Sequence, residues 1–231
     1  KYFNEQNLFD ISLYSPTGIT NEDVQNISQI EDCQDYTSGF TADTLASVGA
    51  SRLCTRVSSM NFEEMQQDDS PSLNKLLLAD GRWPQSSNEI VMCEELRSIY
   101  PFSIGDSFIV LQDENSSYGS AFAVQEFTVV GSFHSPQYVY RLQIESRNLA
   151  NGELDQIAFC PGDAFSSSML PNRFYCTSKN AANYSFETKE YKDNIENLES
   201  NIDLECKQII NSQKEKLLDS YVNARGSTID T

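Results

Sequence analysis

The stretch from Phe186 to about Val222 restricts the fold more than any other part of this 231-residue chain, because it contains neither proline nor glycine. Apolar residues recur along it at helical spacings: Tyr191, Ile195, Leu198, Ile202, Ile209 and Leu217. Such recurrence places them on one face of an α-helix. The pattern predicts a long helix whose apolar seam either forms a coiled-coil stub or continues into another element.

The formal net charge of −18 excludes one large class of partner. A surface this acidic repels phosphate groups, so we expect no nucleic-acid binding, and anionic lipid headgroups are disfavoured for the same reason. Hydrophobic residues make up 39% of the chain, as in globular proteins, yet no apolar run approaches the roughly 20 residues that span a bilayer. We therefore expect a soluble domain, and its abrupt ends suit a fragment of a longer protein.

The six cysteines show neither a CxxC pair nor the spacing of a zinc ladder. Several stand where a small hydrophobic residue would fit, such as Cys54, Cys93 and Cys160. Free cysteine behaves as a buried apolar residue, so we expect mostly reduced thiols in the core. Disulfide pairing outside a cell stays open as the alternative.

The N-terminal part predicts an alternation of strands and one helix. Residues Leu8–Tyr14 alternate between apolar and polar positions, which indicates a half-buried strand. Thr20 stands three residues before Asp23, which resembles the capping box of a helix start. Further strands are predicted at Cys33–Phe40 and Ser51–Met60. The order is strand, helix, strand, strand.

The later segments predict an α+β fold in three parts. The polar residues 61–74 are interpreted as a connection, and 75–145 as a small inserted β-rich lobe with a short helix and strands. We expect 1–74 and 146–231 to form the two halves of one α+β lobe, closed by the long helix. Strands are predicted in these regions at Ser107–Gln112, Ala121–Phe133, Gln156–Cys160 and Arg173–Ser178.

The stretch from Leu78 to Val91, LADGRWPQSSNEIV, resembles a signature of the extracytoplasmic domains of MacB/FtsX-like ABC transporter permeases. The family pattern continues with a helix, a Gly-Asp turn and a strand that ends in Val-Val-Gly, and the chain offers each of these in order. The matching residues are Gly81, Arg82, Pro84, Glu89, Ile90, Gly105, Asp106, Val130 and Gly131. The resemblance covers about residues 8–210.

These motif residues also have structural interpretations that need no family. Gly81 and Pro84 bracket a tight entry into a strand, since glycine permits unusual backbone angles and proline fixes them. Gly105 and Asp106 form a typical turn pair. Glu89 either caps local backbone N–H groups or faces water, and both interpretations stay open. We assign no chemistry to any of them.

The resemblance implies a non-catalytic domain on the extracytoplasmic face of the bacterial plasma membrane. It implies a membrane-proximal strand–helix–strand lobe (porter-like) with an inserted β-rich lobe (sabre-like). The expected partners are a second permease copy and, through membrane helices outside this chain, a cytoplasmic ATPase, which alone uses ATP. Peptide or lipoprotein cargo is a further expectation, and the domain itself is expected to need no cofactor.

A search for catalytic patterns predicts none. A Ser-His-Asp or Cys-His arrangement needs a histidine as its base, and His134 is the one histidine of the chain, so we interpret it as a structural or exposed residue. The sequence contains neither a G-x-S-x-G elbow nor a phosphate-binding glycine loop. The acidic loop Asp113–Gly119 lacks the register of a calcium loop, so we expect no metal site. Tyr138 and Tyr140 are the candidates for an exposed partner contact.

Two rival functions remain at this stage. One is a free-standing secreted or lipid-anchored module that binds a cationic peptide, which the acidic surface would suit. The other is an acid-dependent glycosidase, which would need two carboxylates converging in a deep cleft. The sequences flanking the chain discriminate the permease from the free-standing module, because only the permease requires hydrophobic spans there.

Overall fold

A computed structural model describes residues 7–67, 70, 72–111, 120–135 and 153–226, with the side chains of 217 and 219–226 excepted. The described residues contain ten β-strands, three α-helices and two short 3-10 helices. The strands are β1 Ile11–Tyr14, β2 Cys33–Gly39, β3 Thr41–Val48, β4 Ser51–Ser59, β5 Leu77–Gly81, β6 Glu89–Cys93, β7 Ser107–Val110, β8 Glu126–His134, β9 Gln156–Cys160 and β10 Arg173–Ser178. The helices are α1 Asn21–Ser28, α2 Phe62–Met65 and α3 Lys189–Gly226, and the 3-10 helices are Glu94–Leu96 and Gly162–Ala164.

The chain divides into two compact units. The barrel unit comprises Lys1–Ile19 and Asp35–Cys176, and the helical unit comprises Thr20–Gln34 and Thr177–Thr231. Two of the three divisions fall inside β2 and β10, which pair with each other in a three-stranded sheet of order β1-β10-β2. The fold is therefore α+β with a long C-terminal helix, as expected.

Six of the strands close into a barrel. The strands pair in the order β8-β6-β9-β4-β3-β7, and β7 returns to β8, while β5 extends the sheet from β8. Strands β3 and β4 come from before residue 75 and β6 to β8 from after it, so this barrel is built from both sides of the predicted boundary. Closure leaves the ring strands without an open edge.

Alternating side chains fill the barrel. In β7 the outward Ser107 and Ile109 alternate with the fully buried Phe108 and Val110. The other ring strands contribute to the same core cluster: Ala46, Val48, Leu53, Val57, Ile90, Met92, Phe127, Val129, Ala158 and Cys160. Full burial of one large apolar side chain contributes roughly 1.5–3 kcal/mol, so each large residue of this core stabilises the barrel.

The sequence analysis interpreted residues 61–74 as a connection. In the structure, this segment also contains the helix α2. Asn61 caps α2 by accepting a hydrogen bond from Glu64 N (3.2 Å). Phe62 and Met65 of this helix are buried in a second core cluster, together with Val91 and other residues of the barrel strands. The polar composition of the segment gives no indication that Phe62 and Met65 are buried on one helical turn.

The helical unit begins as the sequence predicts. Thr20 Oγ1 accepts from Asp23 N (3.2 Å), and Asp23 Oδ2 accepts from Thr20 N (2.8 Å), which is a complete capping box at the start of α1. Ile27 of α1 is buried, as are Leu198 and Ile202 on the seam of α3. No helix in the described part of the chain is long and apolar enough to cross a lipid bilayer.

Candidate functional site

The motif residues gather around one short segment of β8, residues 128–131, which we call the motif junction. In the antiparallel β5–β8 ladder Gly81 lies opposite Gly131, and in the parallel β6–β8 ladder Ile90 lies opposite Val129. The β6–β8 ladder changes register between Ile90 and Val91, so β8 carries a bulge at Val130, within this segment. Two distant parts of the motif therefore meet across one strand.

The Gly-Asp turn reaches the same segment from a third direction. Gly105 N donates to Val129 O (2.8 Å), and Val129 N donates to Asp106 O (2.9 Å). The turn itself is closed by Asp106 Oδ2, which accepts from Ser103 N (2.8 Å). Gly105 has a φ of +97°, which a residue with a side chain rarely adopts.

Two glycines allow the backbones to approach at the motif junction. A Cβ on Gly131 would lie 2.6 Å from Arg82 O and 2.7 Å from Asp80 O, both of them backbone atoms. A Cβ on Gly81 would overlap the carbonyl of Val130, and Gly81 also has a φ of +76°. The close approach lets Arg82 N donate to Val130 O at 3.0 Å. Glycine is therefore required here by space, and at Gly81 also by backbone angle.

Arg82 and Glu89 close the loop that joins β5 to β6. The guanidinium donates to both carboxylate oxygens, with Nη1 to Oε2 at 2.8 Å, and Gln85 N donates to the same Oε2 at 2.7 Å. The hydrogen bond from Arg82, assisted by that from Gln85 N and opposed by burial, lowers the pKa of Glu89 to about 2. Of the two interpretations that the sequence left open, the structure selects capping. Pro84 is buried inside the loop.

A cleft of about 550 Å³ opens in the barrel unit. The ends of β2 and β4, α2 with the residue before it, and the loop residues 84–87 line it. Its charged lining residues are Glu63, Glu64, Asp163 and Arg173. The volume lies within the range of about 300–1,000 Å³ that is usual for ligand sites. No local sequence pattern predicts this cleft, because its walls come from segments far apart in the chain.

No family model matches the chain, and no curated protein matches its sequence. Solved structures do match. The extracellular domain of the noncanonic ABC-type transporter YknZ from Gram-positive bacteria is 11% identical with a TM-score of 0.44, over 73% of this chain and 82% of that one. The periplasmic region of MacB from Actinobacillus actinomycetemcomitans is 13% identical with a TM-score of 0.37, over 80% of this chain and 75% of that one.

The chain is similar to extracytoplasmic domains of ABC-type transporters. At these identities the likeness concerns the fold alone, and it brings neither a substrate nor a residue role to this chain.

The one histidine lies in a cluster that the sequence did not reveal. His134 Nδ1 and Glu95 Oε1 form a hydrogen bond of 2.7 Å, and Cys93 Sγ donates to Glu95 Oε2 at 3.1 Å. Burial, followed by the bond to Glu95, raises the pKa of the Cys93 thiol to about 12. The imidazole contacts the carboxylate rather than the thiol, so the geometry lacks the base–nucleophile contact of a cysteine hydrolase.

Other candidate positions add little chemistry. Within the described residues, no group of three or more His, Cys, Asp or Glu side chains is placed to hold a metal ion. Cys54, Cys93, Cys160 and Cys176 are buried, as expected for small core residues. Tyr138, Tyr140 and the loop Asp113–Gly119 lie outside the described residues.

Proposed function

We propose that this chain is the extracytoplasmic domain of an ABC transporter permease of the MacB/FtsX-like type, on the outer face of a bacterial plasma membrane. The observation that carries the proposal is the motif junction. The three motif segments, which resemble the family pattern only weakly one by one, meet at residues 128–131 and depend on one another there. If the segments matched the family pattern only by chance, we would not expect them to contact one another in the fold.

The domain is non-catalytic and transmits movement. A cytoplasmic ATPase binds and hydrolyses ATP, a second permease copy completes the dimer, and this chain responds outside the membrane. The response is a population shift between arrangements of the dimer, with energy from the nucleotide. Export, lipoprotein or peptide handling, and signalling are the outcomes that such a movement serves.

The long helix α3 is the element that carries this movement. At 1.5 Å per residue its 38 residues measure about 57 Å. Leu198 and Ile202 anchor its first half in the helical unit, whereas Ile210 and Leu218 in its second half are exposed. The second half of α3 leads to the membrane or to a coiled coil.

Cysteine labelling of the full-length protein tests the location. Ser200 is exposed on α3, so a Ser200→Cys variant offers an accessible thiol. We expect a membrane-impermeant maleimide to label this variant in intact cells, with the label recovered in the membrane fraction. Labelling only after the cells are permeabilised would refute an extracytoplasmic location. Recovery of the labelled protein in the culture medium would instead favour the free-standing secreted module.

A further inference from the structure

The cleft of about 550 Å³ in the barrel unit has features that the transmission of movement does not require. Its lining includes Phe62, Phe159 and Leu73, which are 4%, 5% and 2% exposed and belong to the packed interior. Phe62 also stacks on Trp83, with ring centroids 5.6 Å apart. The cleft therefore has a fixed apolar floor, as ligand pockets usually have.

Three hydroxyl groups of the cleft wall, those of Thr41, Ser58 and Ser59, bond to neighbouring residues of the fold. Ser59 Oγ accepts from Phe40 N at 2.9 Å, and the hydroxyls of Thr41 and Ser58 bond to each other. Each of these bonds ties a wall residue to its neighbour, so they hold the wall in place.

Two carboxylates at the rim of the cleft, unlike the wall hydroxyls named above, are not engaged by the described part of the fold. Glu63 and Asp163 line the cleft, are exposed, and make neither a hydrogen bond nor an ion pair within the described residues. The lining contains one cation, Arg173, whose guanidinium lies over the Tyr14 ring at 4.7 Å from its centroid. The lining thus carries more negative than positive charge, in a chain whose net charge of −18 attracts cations.

We propose that this cleft binds a primary ammonium or guanidinium group carried on an apolar stem. The stem contacts Phe62 and Phe159 on the floor, and Glu63 and Asp163 at the rim supply the counter-charge. Two sources present this chemistry: a small organic amine, or a lysine or arginine side chain of a polypeptide. The proposal goes beyond the function proposed above and does not depend on it.

Fluorescence anisotropy with dansylcadaverine tests the proposal, since this probe carries a primary ammonium on an apolar body. Its N-acetylated form keeps the body and removes the charge. We expect the amine to bind and the acetylated form to bind at least about fivefold more weakly, because a hydrogen bond to a charged group contributes roughly a factor of ten or more. Equal binding of the two forms, or no binding of the amine at millimolar concentration, overturns the proposal.

A matched pair of double variants locates the site. Glu63→Gln with Asp163→Asn removes two charges at the cleft, and Asp193→Asn with Glu196→Gln removes two from exposed positions on α3. We expect only the cleft variant to weaken binding, by at least about fivefold, with its unfolding midpoint unchanged. Equal loss in both variants would mean that bulk charge alone attracts the probe, which contradicts a site in the cleft.

Competition then distinguishes the two sources. The unlabelled probes are n-hexylamine and the blocked tripeptide acetyl-Leu-Lys-Leu-amide, with acetyl-Leu-Gln-Leu-amide as the uncharged control. Stronger displacement by the lysine peptide supports a polypeptide ligand, and stronger displacement by hexylamine supports a small amine. Displacement by the glutamine peptide as effective as that by the lysine peptide contradicts recognition of the cation.

Discussion

Replacement of Gly131 by alanine should destabilise the barrel unit through one steric conflict. The added Cβ would lie 2.6 and 2.7 Å from the backbone oxygens of Arg82 and Asp80, whereas ordinary van der Waals contact begins at 3.4 Å. Backbone oxygens in a paired strand cannot rotate away as a side chain can. Strand β5 must therefore move outward by roughly 0.7 Å or more, as overpacked sites generally force their neighbours to shift.

The size of the effect follows from what this shift disrupts. Overpacking of this kind costs roughly 1–3 kcal/mol, and loss of the bond from Arg82 N to Val130 O adds about 1 kcal/mol. Alanine regains about 0.4–1 kcal/mol by restricting the unfolded chain. The net expectation is about 1–3.5 kcal/mol less stability, or a Tm lower by roughly 2–14 °C for a protein of this length.

Urea unfolding followed by the fluorescence of Trp83 measures this loss. Trp83 is the one tryptophan of the chain, and it lies in the barrel unit against Phe62. The matched control is Gly162→Ala, because a Cβ there meets its nearest atoms at 3.9 and 4.0 Å. We expect the control to stay within about 0.5 kcal/mol of the parent chain. A Gly131→Ala variant as stable as the control would refute the close approach at the motif junction.

Three further outcomes are expected. Glu89→Gln should lower stability at pH 7 by about 1–2 kcal/mol, a value reduced for the exposure of Arg82. Because the pKa of Glu89 is depressed in the folded protein, the ionised carboxylate stabilises the fold above about pH 4.5, and this stabilisation is lost as the pH falls towards about 2. The urea midpoint of the Glu89→Gln variant should therefore vary less across that pH window than the midpoint of the parent chain. Leu198→Ala, at a fully buried position, should lower the free energy of unfolding by about 2–5 kcal/mol. Its control, Leu204→Ala at a 57% exposed position, should lower it by less than about 0.5 kcal/mol. Urea unfolding followed by circular dichroism measures both. Burial raises the pKa of the Cys160 thiol, so iodoacetamide at pH 8 should modify it only after unfolding, as peptide mass spectrometry can show.

Local signals in the sequence predicted the elements that local interactions form. The capping box at Thr20 depends on residues three apart, and the seam of α3 depends on spacings of a few residues, so both could be found in the sequence. The predicted strands at Gln156–Cys160 and Arg173–Ser178 are confirmed as β9 and β10. The short helix predicted at Cys93–Tyr100 is a 3-10 turn that covers only Glu94–Leu96.

Long-range pairing explains what the sequence did not reveal. All five residues of β5 are exposed, so no alternation marks it, and pairing with β8 alone makes it a strand. Strand β3 places the polar Thr44 inside the barrel, which interrupts its apolar pattern. The parallel β4–β9 and β6–β8 ladders join segments far apart in the chain, and no local rule predicts such closure.

The candidate sites show the same limit. The motif residues could be recognised in the sequence, but their convergence on residues 128–131 could not, because three separate backbone approaches create it. For Glu89, the sequence offered two roles, and the choice required the positions of Arg82 and Gln85. The cleft depends wholly on tertiary structure.

The proposed transmission of movement is tested most directly by a distance between two copies of α3. Spin labels at Ser200→Cys, with the partly exposed Cys33 and Cys206 replaced by serine, can be placed in the full-length permease reconstituted in lipid with its ATPase. We expect pulsed dipolar spectroscopy to report a label-to-label distance that differs between the nucleotide-free and the ATP-trapped states. An identical distance distribution in both states would contradict the account.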